Sequence, residues 1–240
     1  MTSYDERNVR CFCCGRASSQ QILASTNSRG SPDLDQRPPE MMRSTMDAWL
    51  EQCPSCSYVA TDLGKGDAGD KEFVSSEGYQ ALRTGSHLCG LSCRFLLGAA
   101  LAGHHGDAQT AFRRTLSAAW IADDMRQLEV ARALRRQAAA CVLRSTNSTD
   151  LRLRLLDVLR RSAEWDAATA LGAEMTAEKL EHPLSAIVRF QSETIKNRDD
   201  KCYSVEEALS AVDGDDTLDD DLLDRIARHI EILPPRRRDR

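Results

Sequence analysis

The sequence predicts a mainly α fold in which a small N-terminal module with short β strands precedes a domain of helical hairpins. Three observations predict it. Two CxxC pairs, Cys11 to Cys14 and Cys53 to Cys56, lie within the first quarter of the 240 residues. Alanine and leucine dominate from Leu88 to Leu171, while aromatics are only 5% and charged residues 29% of the chain, the usage of packed helices more than of sheets. Through that stretch apolar residues recur at three- and four-residue steps, the spacing of a helix face.

The length suits a small module followed by a medium domain with a core of its own. The expected division is a module over 1–63 with a long inserted loop, a linker over 64–71, a helical domain over 72–233 and a basic tail over 234–240. A formal net charge of -5 gives no overall pull toward nucleic acid or anionic lipid. No basic start precedes an apolar run, and the longest apolar stretch, around Phe95 to Ala102, is too short to cross a bilayer. The expectation is a cytoplasmic protein with no membrane partner.

Residues Met1 to Arg10 are polar and end in an extended lead-in at Asn8 to Arg10. After the first cysteine cluster, Gln21 to Thr26 reads as a strand, with Tyr58 to Thr61 as its counterpart beyond the second. Between them Asn27 to Arg43, with Gly30, Pro32, Asp33, Asp35, Pro38 and Pro39, resists regular structure. Trp49 and Leu50 have the character of core residues. Gly64 to Asp70 is rich in glycine and aspartate and reads as the linker.

Helices follow. Glu72 to Arg83 forms a short one, and Ser86 caps the next, with Leu88, Leu91, Phe95 and Ala99 on one stripe. Asp107 caps a helix carrying Ala111, Leu116, Ala119 and Trp120. The helix from Gln127 to Arg144 puts Leu128, Ala131, Leu134, Ala138 and Val142 on one face, and Arg132, Arg135 and Arg136 mostly off it. Leu151 to Leu159, Trp165 to Leu171 and Leu184 to Ile195 supply three further stripes, the last opened by Pro183. Ser204 and Glu207 have capping-box spacing. A final amphipathic segment, Leu218 to Leu233, carries Leu222, Ile226 and Ile230 and stops at Pro234. Short loops imply antiparallel hairpins. Gly106 and Asp107 with Ala111 and Ala118, and Trp165 with Ala168, give these a tetratricopeptide-like cast without a strict 34-residue period.

Cys11, Cys14, Cys53 and Cys56 are the candidate ligands of one structural zinc, which makes the module a zinc ribbon. A tight turn presents two thiolates, a second turn supplies the other two, and four thiolates close the coordination sphere. Cys13 would leave a one-residue gap to Cys11 and is a spectator. A thiol oxidoreductase on the CxxC pairs is an alternative, which requires an exposed N-terminal cysteine at a helix start. His87, Cys89 and Cys93 read as ordinary helix residues, and His104 with His105 as a solvated loop. The aspartates around Gly214 lack the frame of a calcium loop. Arg113, Arg114, Arg132, Arg135, Arg136, Arg152, Arg154, Arg160 and Arg161 leave open a nucleic-acid face, against the commoner reading of a salt-bridged helix surface.

The two knuckles, together with Gly30-Ser31-Pro32-Asp33-Leu34-Asp35 and Arg37-Pro38-Pro39, resemble uncharacterised bacterial proteins that join CPxCG-type knuckles to tetratricopeptide-like helices. Phe12-Cys13 and Ser57 depart from that pattern without removing a ligand. The resemblance implies a zinc ribbon on a helical scaffold and no established activity. It raises the loop from Ser25 to Arg43 as a recognition surface displaying Asp33, Asp35 and Arg37, the alternative being a loop packed on the protein's own helices. The function expected is that of a non-enzymatic zinc-binding protein whose helices bind a protein partner, with a nucleic-acid-associated factor as the alternative.

Overall fold

A computed structural model describes residues 2–85, 90–142 and 148–213, so Ser86, His87, Leu88 and Cys89, Arg144 and the Leu218 to Leu233 segment lie outside the described residues. The chain is mainly helical and divides into two compact units. Among the described residues, one is the chain up to Asn27 with Met41–Leu134, the other Ser28–Glu40 with the residues from Arg135 to Asp213.

The first unit begins with β1 (Ser3–Arg10), antiparallel to β2 (Ala17–Ser25), with Arg10 opposite Ala17 at the turn. A second hairpin pairs β3 (Glu51–Gln52) with β4 (Val59–Ala60). The expected pairing of the strand after the first knuckle with the strand after the second does not occur. Each CxxC cluster turns the chain back on itself, so each knuckle is the tip of its own hairpin. β1 is also longer than its sequence suggests. Most of its side chains are exposed, and cross-strand backbone bonds, not burial, hold it.

After α1 (Glu40–Arg43) and a single 3-10 turn at Met46–Ala48, Trp49 lies edge-on to Phe95 at 6.3 Å and donates through Nε1 to Thr45 Oγ1 at 2.9 Å. α2 (Asp70–Ser75) and α3 (Glu77–Gly85) replace the single short helix expected there, because Ser76 is extended at ψ 150°. α4 (Gly90–His104) then packs along α5 (Ala108–Asp124), whose N-cap Asp107 accepts from Thr110 N–H at 2.9 Å. Phe95, Leu97, Phe112, Leu116 and Ala118 form the centre, each at most 2% exposed. Burying a side chain of the size of Phe or Leu contributes about 1.5–3 kcal/mol. The stretch read as a linker belongs inside this unit, where Asp70 is fully buried. The division falls instead within α6 (Leu128–Val142).

The second unit holds α7 (Thr149–Arg161), α8 (Trp165–Ala177), α9 (Leu184–Lys196) and α10 (Val205–Asp213), consecutive helices packing in pairs. The capping box ahead of α10 is formed: Ser204 N–H donates to Glu207 Oε2 at 2.6 Å and Glu207 N–H to Ser204 Oγ at 3.1 Å. Leu156, Val158, Ala168, Met175 and Leu209 are fully buried.

Four helix ends share one device. Gly106, Arg126, Ala163 and Arg198 adopt φ of 74°, 58°, 62° and 49°. At each, the left-handed residue's N–H returns to the carbonyl three residues back, and the next N–H to the carbonyl five residues back, as in Asp107 to Ala102 and Glu164 to Leu159. This is the Schellman pattern. Arg126, Ala163 and Arg198 recur at steps close to the ~34 residues of a tetratricopeptide repeat. None of these three positions is glycine, so the sequence does not mark the spacing.

Candidate metal centre

The two knuckles are built alike. Cys11 N–H donates to Arg16 O at 2.9 Å and Gly15 N–H to Cys11 O at 2.8 Å, and in the second Cys53 N–H donates to Tyr58 O at 2.9 Å and Ser57 N–H to Cys53 O at 3.0 Å. Gly15 and Ser57 take the same left-handed backbone, φ 71° and 63°. In each turn the backbone bends so that both thiols point to one side.

All four sulfurs, those of Cys11, Cys14, Cys53 and Cys56, lie within 4.8 Å of one another. The shortest contacts run between knuckles, Cys11 to Cys56 at 3.7 Å and Cys14 to Cys53 at 3.6 Å. A disulfide needs about 2.05 Å, so these are not bonds. With metal–sulfur distances of about 2.3 Å, the edge of a four-thiolate tetrahedron is about 3.8 Å. The observed spacing fits that edge, and the four cysteines could hold a metal ion.

Burial divides the thiols. Cys11 and Cys53 are 2% and 1% exposed, while Cys14 is open to solvent. Donation from the Arg16 N–H to its sulfur holds the Cys14 thiol down at about 7. Burial pushes Cys11 and Cys56 up, and pushes Cys13 up to about 12. Cys13 stands outside the cluster, as its spacing implies.

The two hairpins are also joined by charge. Arg7 Nη2 on β1 donates to buried Glu51 of β3 at 2.9 Å and to Asp62 at 2.8 Å. Glu51 Oε2 in turn accepts from Leu63 N–H at 2.8 Å, and Leu63 O accepts from Phe12 N–H at 2.8 Å in the first knuckle.

Sequence reasoning missed a third support. Tyr58, two residues past Cys56, places its hydroxyl 2.8 Å from Lys65 O and 3.1 Å from Asp70 Oδ2. Asp70 Oδ2 accepts from Asp67 N–H at 2.8 Å, and Oδ1 lies 2.6 Å from His105 Nε2. Burial opposes ionisation of Asp70, but Asp67 N–H, His105 and the Tyr58 hydroxyl together hold its carboxyl below the usual range. His105 is thus a tether between the start of α2 and the end of α4, and His104 stacks on Phe73 at 4.3 Å, so the pair is more than solvated loop. Gly66 makes this packing possible. A Cβ there would sit 2.5 Å from the Phe12 ring, 2.7 Å from Tyr58 Oη and 2.8 Å from Asp70 Oδ2.

In the second unit, Asp33, Asp35 and Arg37 are buried at 7%, 1% and 5% exposure, so the loop does not display them. Of the two roles open to that loop, the structure gives it the packed one. Asp35 Oδ2 lies 3.0 Å from Arg161 Nη1 and 3.5 Å from Arg135 Nη2. Gln36 Nε2 donates to Asp150 at 2.9 Å, and Leu34 N–H to Tyr203 O at 2.9 Å. The arginines proposed as a nucleic-acid face are largely consumed in this way. Arg135, Arg154, Arg160 and Arg161 are buried, Arg160 pairing with Asp157 at 2.6 Å, and only Arg136 of the nine is exposed.

Among the described residues, no helix is long and apolar enough to cross a membrane. Comparison with family models, with curated proteins and with solved structures found no match for the chain.

Proposed function

We propose that the chain is a non-enzymatic zinc-binding scaffold, in which one structural zinc on Cys11, Cys14, Cys53 and Cys56 locks two hairpins together and the helical hairpins bind a protein partner. The observation that carries the metal reading is the pair of cross-knuckle contacts at 3.7 and 3.6 Å, each joining a cysteine of one hairpin to a cysteine of the other. Zinc supplies a closed four-thiolate link there and leaves no position for a catalytic water. In zinc-finger peptides such a link contributes about 10–16 kcal/mol of apparent binding energy, far more than two-stranded hairpins gain alone. The resemblance to bacterial proteins with CPxCG knuckles and tetratricopeptide-like helices favours the same reading.

A thiol oxidoreductase needs an accessible attacking thiol at the N-terminal cysteine of its pair, and both Cys11 and Cys53 are buried. A nucleic-acid factor needs arginines at the surface, and four of the nine helical arginines, Arg135, Arg154, Arg160 and Arg161, are buried against Asp35, Asp150 and Asp157.

Titration of the reduced, metal-free chain with cobalt(II) tests the site. Thiolate-to-cobalt absorption saturating at one equivalent, and abolished by Cys14→Ser, supports it; absorption that never appears contradicts it. Binding of labelled single-stranded RNA with a steep loss of affinity in salt would restore the nucleic-acid alternative.

A further inference from the structure

Apart from the four cysteines, the described residues bring one further set of metal-ligating side chains together. Asp67, Asp70 and His105 offer two carboxylates and an imidazole whose ligand atoms lie within 4.8 Å of one another. All three belong to the first unit. Asp67 sits in the glycine-rich stretch, Asp70 opens α2, and His105 follows the last residue of α4. His105 Nε2 lies 2.6 Å from Asp70 Oδ1 and 3.6 Å from Asp67 Oδ2, so one imidazole nitrogen faces both carboxylates.

A second observation points to a cation. The Asp70 side chain is completely buried, and a buried charge calls for a counter-charge. Among the described residues no lysine or arginine pairs with it. Its partners are two neutral donors on Oδ2, Asp67 N–H and the Tyr58 hydroxyl, and the His105 imidazole on Oδ1. Oδ2 is thus committed to the fold, while Oδ1 faces the imidazole nitrogen. Side-chain exposure rises from 0% at Asp70 through 32% at His105 to 78% at Asp67, so the cluster is anchored in the core and open to water on one side. With metal–ligand distances of about 2.1 Å, ligand atoms at right angles are about 3.0 Å apart and tetrahedral ones about 3.4 Å. The 2.6 and 3.6 Å separations bracket those edges, and small side-chain shifts admit an ion.

We propose that Asp67, Asp70 and His105 form a second metal site, for an exchangeable divalent ion of the manganese(II) kind, held by three protein ligands with water in its remaining positions. The ion takes the place of the hydrogen between His105 Nε2 and Asp70 Oδ1, and the imidazole keeps its proton on Nδ1. Carboxylate donors favour manganese, and thiolate, the donor that selects zinc over it, is absent from this set. The site shares no ligand with the four cysteines and does not depend on what they bind. Where the four thiolates close their coordination sphere, this set leaves positions open to exchange with solvent. The bound ion supplies the counter-charge of Asp70 and ties the exposed Asp67 to the end of α4.

Manganese(II) titration of the full chain as purified, followed by loss of the free-ion electron paramagnetic resonance signal, tests it. The expected result is one bound manganese per chain, with affinity weakened at least about tenfold in Asp67→Asn and in His105→Gln. Asp67 is exposed, and its backbone N–H still reaches Asp70 in the Asn variant, so Asp67→Asn keeps the fold, which far-UV circular dichroism verifies. A parent chain that binds no manganese at millimolar concentration would overturn the proposal. Binding undiminished in Asp67→Asn would overturn it too, the ion then sitting on the cysteines or on scattered surface carboxylates. Manganese binding that needs Asp67 in a chain found to carry no zinc would sustain this site while removing the zinc reading of the other.

Discussion

Ser57, at φ 63°, holds in the second knuckle the backbone position that Gly15, at φ 71°, holds in the first. Nothing lies within 4 Å of a Cβ built on Gly15, so that site isolates the backbone cost of a side chain. Gly15→Ala is expected to destabilise the unit by about 1–2 kcal/mol, the penalty of a left-handed L-residue. Ser57→Gly is expected to raise stability by up to about 1 kcal/mol. Thermal unfolding with metal present measures both, and a Gly15→Ala variant as stable as the parent would contradict the shared turn geometry.

Gly66 is where the apparent linker shows itself to be packing. Gly66→Ala must displace Phe12, Tyr58 or Asp70, and overpacking of this kind costs about 1–3 kcal/mol. Denaturant unfolding should register that loss. No change would mean that residues 64–70 move freely after all.

Asp35 lies between Arg161 and Arg135 inside the second unit. Replacing it with alanine leaves buried guanidinium charge with less compensation, at an expected cost of about 3–5 kcal/mol. Urea unfolding followed by far-UV circular dichroism checks this. A neutral effect would return the loop to the displayed, partner-facing role.

These positions explain how much could be read beforehand. The four cysteines were legible because a knuckle is a local object: spacing of two, a left-handed residue after the pair, and return of the chain. The capping box at Ser204 and Glu207 and the cap at Asp107 were legible for the same reason. Asp35 was not, because the arginines paired with it come a hundred or more residues later, on α6 and α7, and a Pro-, Gly- and Asp-rich stretch looks the same exposed or packed. Asp70 was hidden likewise, since glycines chosen for close approach resemble glycines chosen for flexibility. Of β1 only the end, Asn8 to Arg10, was legible, because the strand is held by backbone pairing while most of its side chains stay exposed.

Asp70 also predicts a pH dependence. Its carboxyl is held below the ordinary 3.8 in the folded chain, so the unfolded chain binds the proton more readily and stability rises with pH through that window. The contribution is present in full above about pH 5 and is lost as pH falls through and below 3.8 toward the folded value. Asp70→Asn should flatten this part of the acid limb, read by far-UV circular dichroism as pH falls. An unchanged slope would mean that the contacts of Asp70 with His105 and Tyr58 do not bias its charge.

A single zinc joining the two knuckles has a simple readout in metal content. The most direct measurement is elemental analysis of chain purified without added metal, beside the Cys53→Ser, Cys56→Ser double variant. One zinc per parent chain and none in the variant, with the variant's first unit unfolded, is the expected result. A folded parent carrying no metal, or carrying iron in place of zinc, would contradict it.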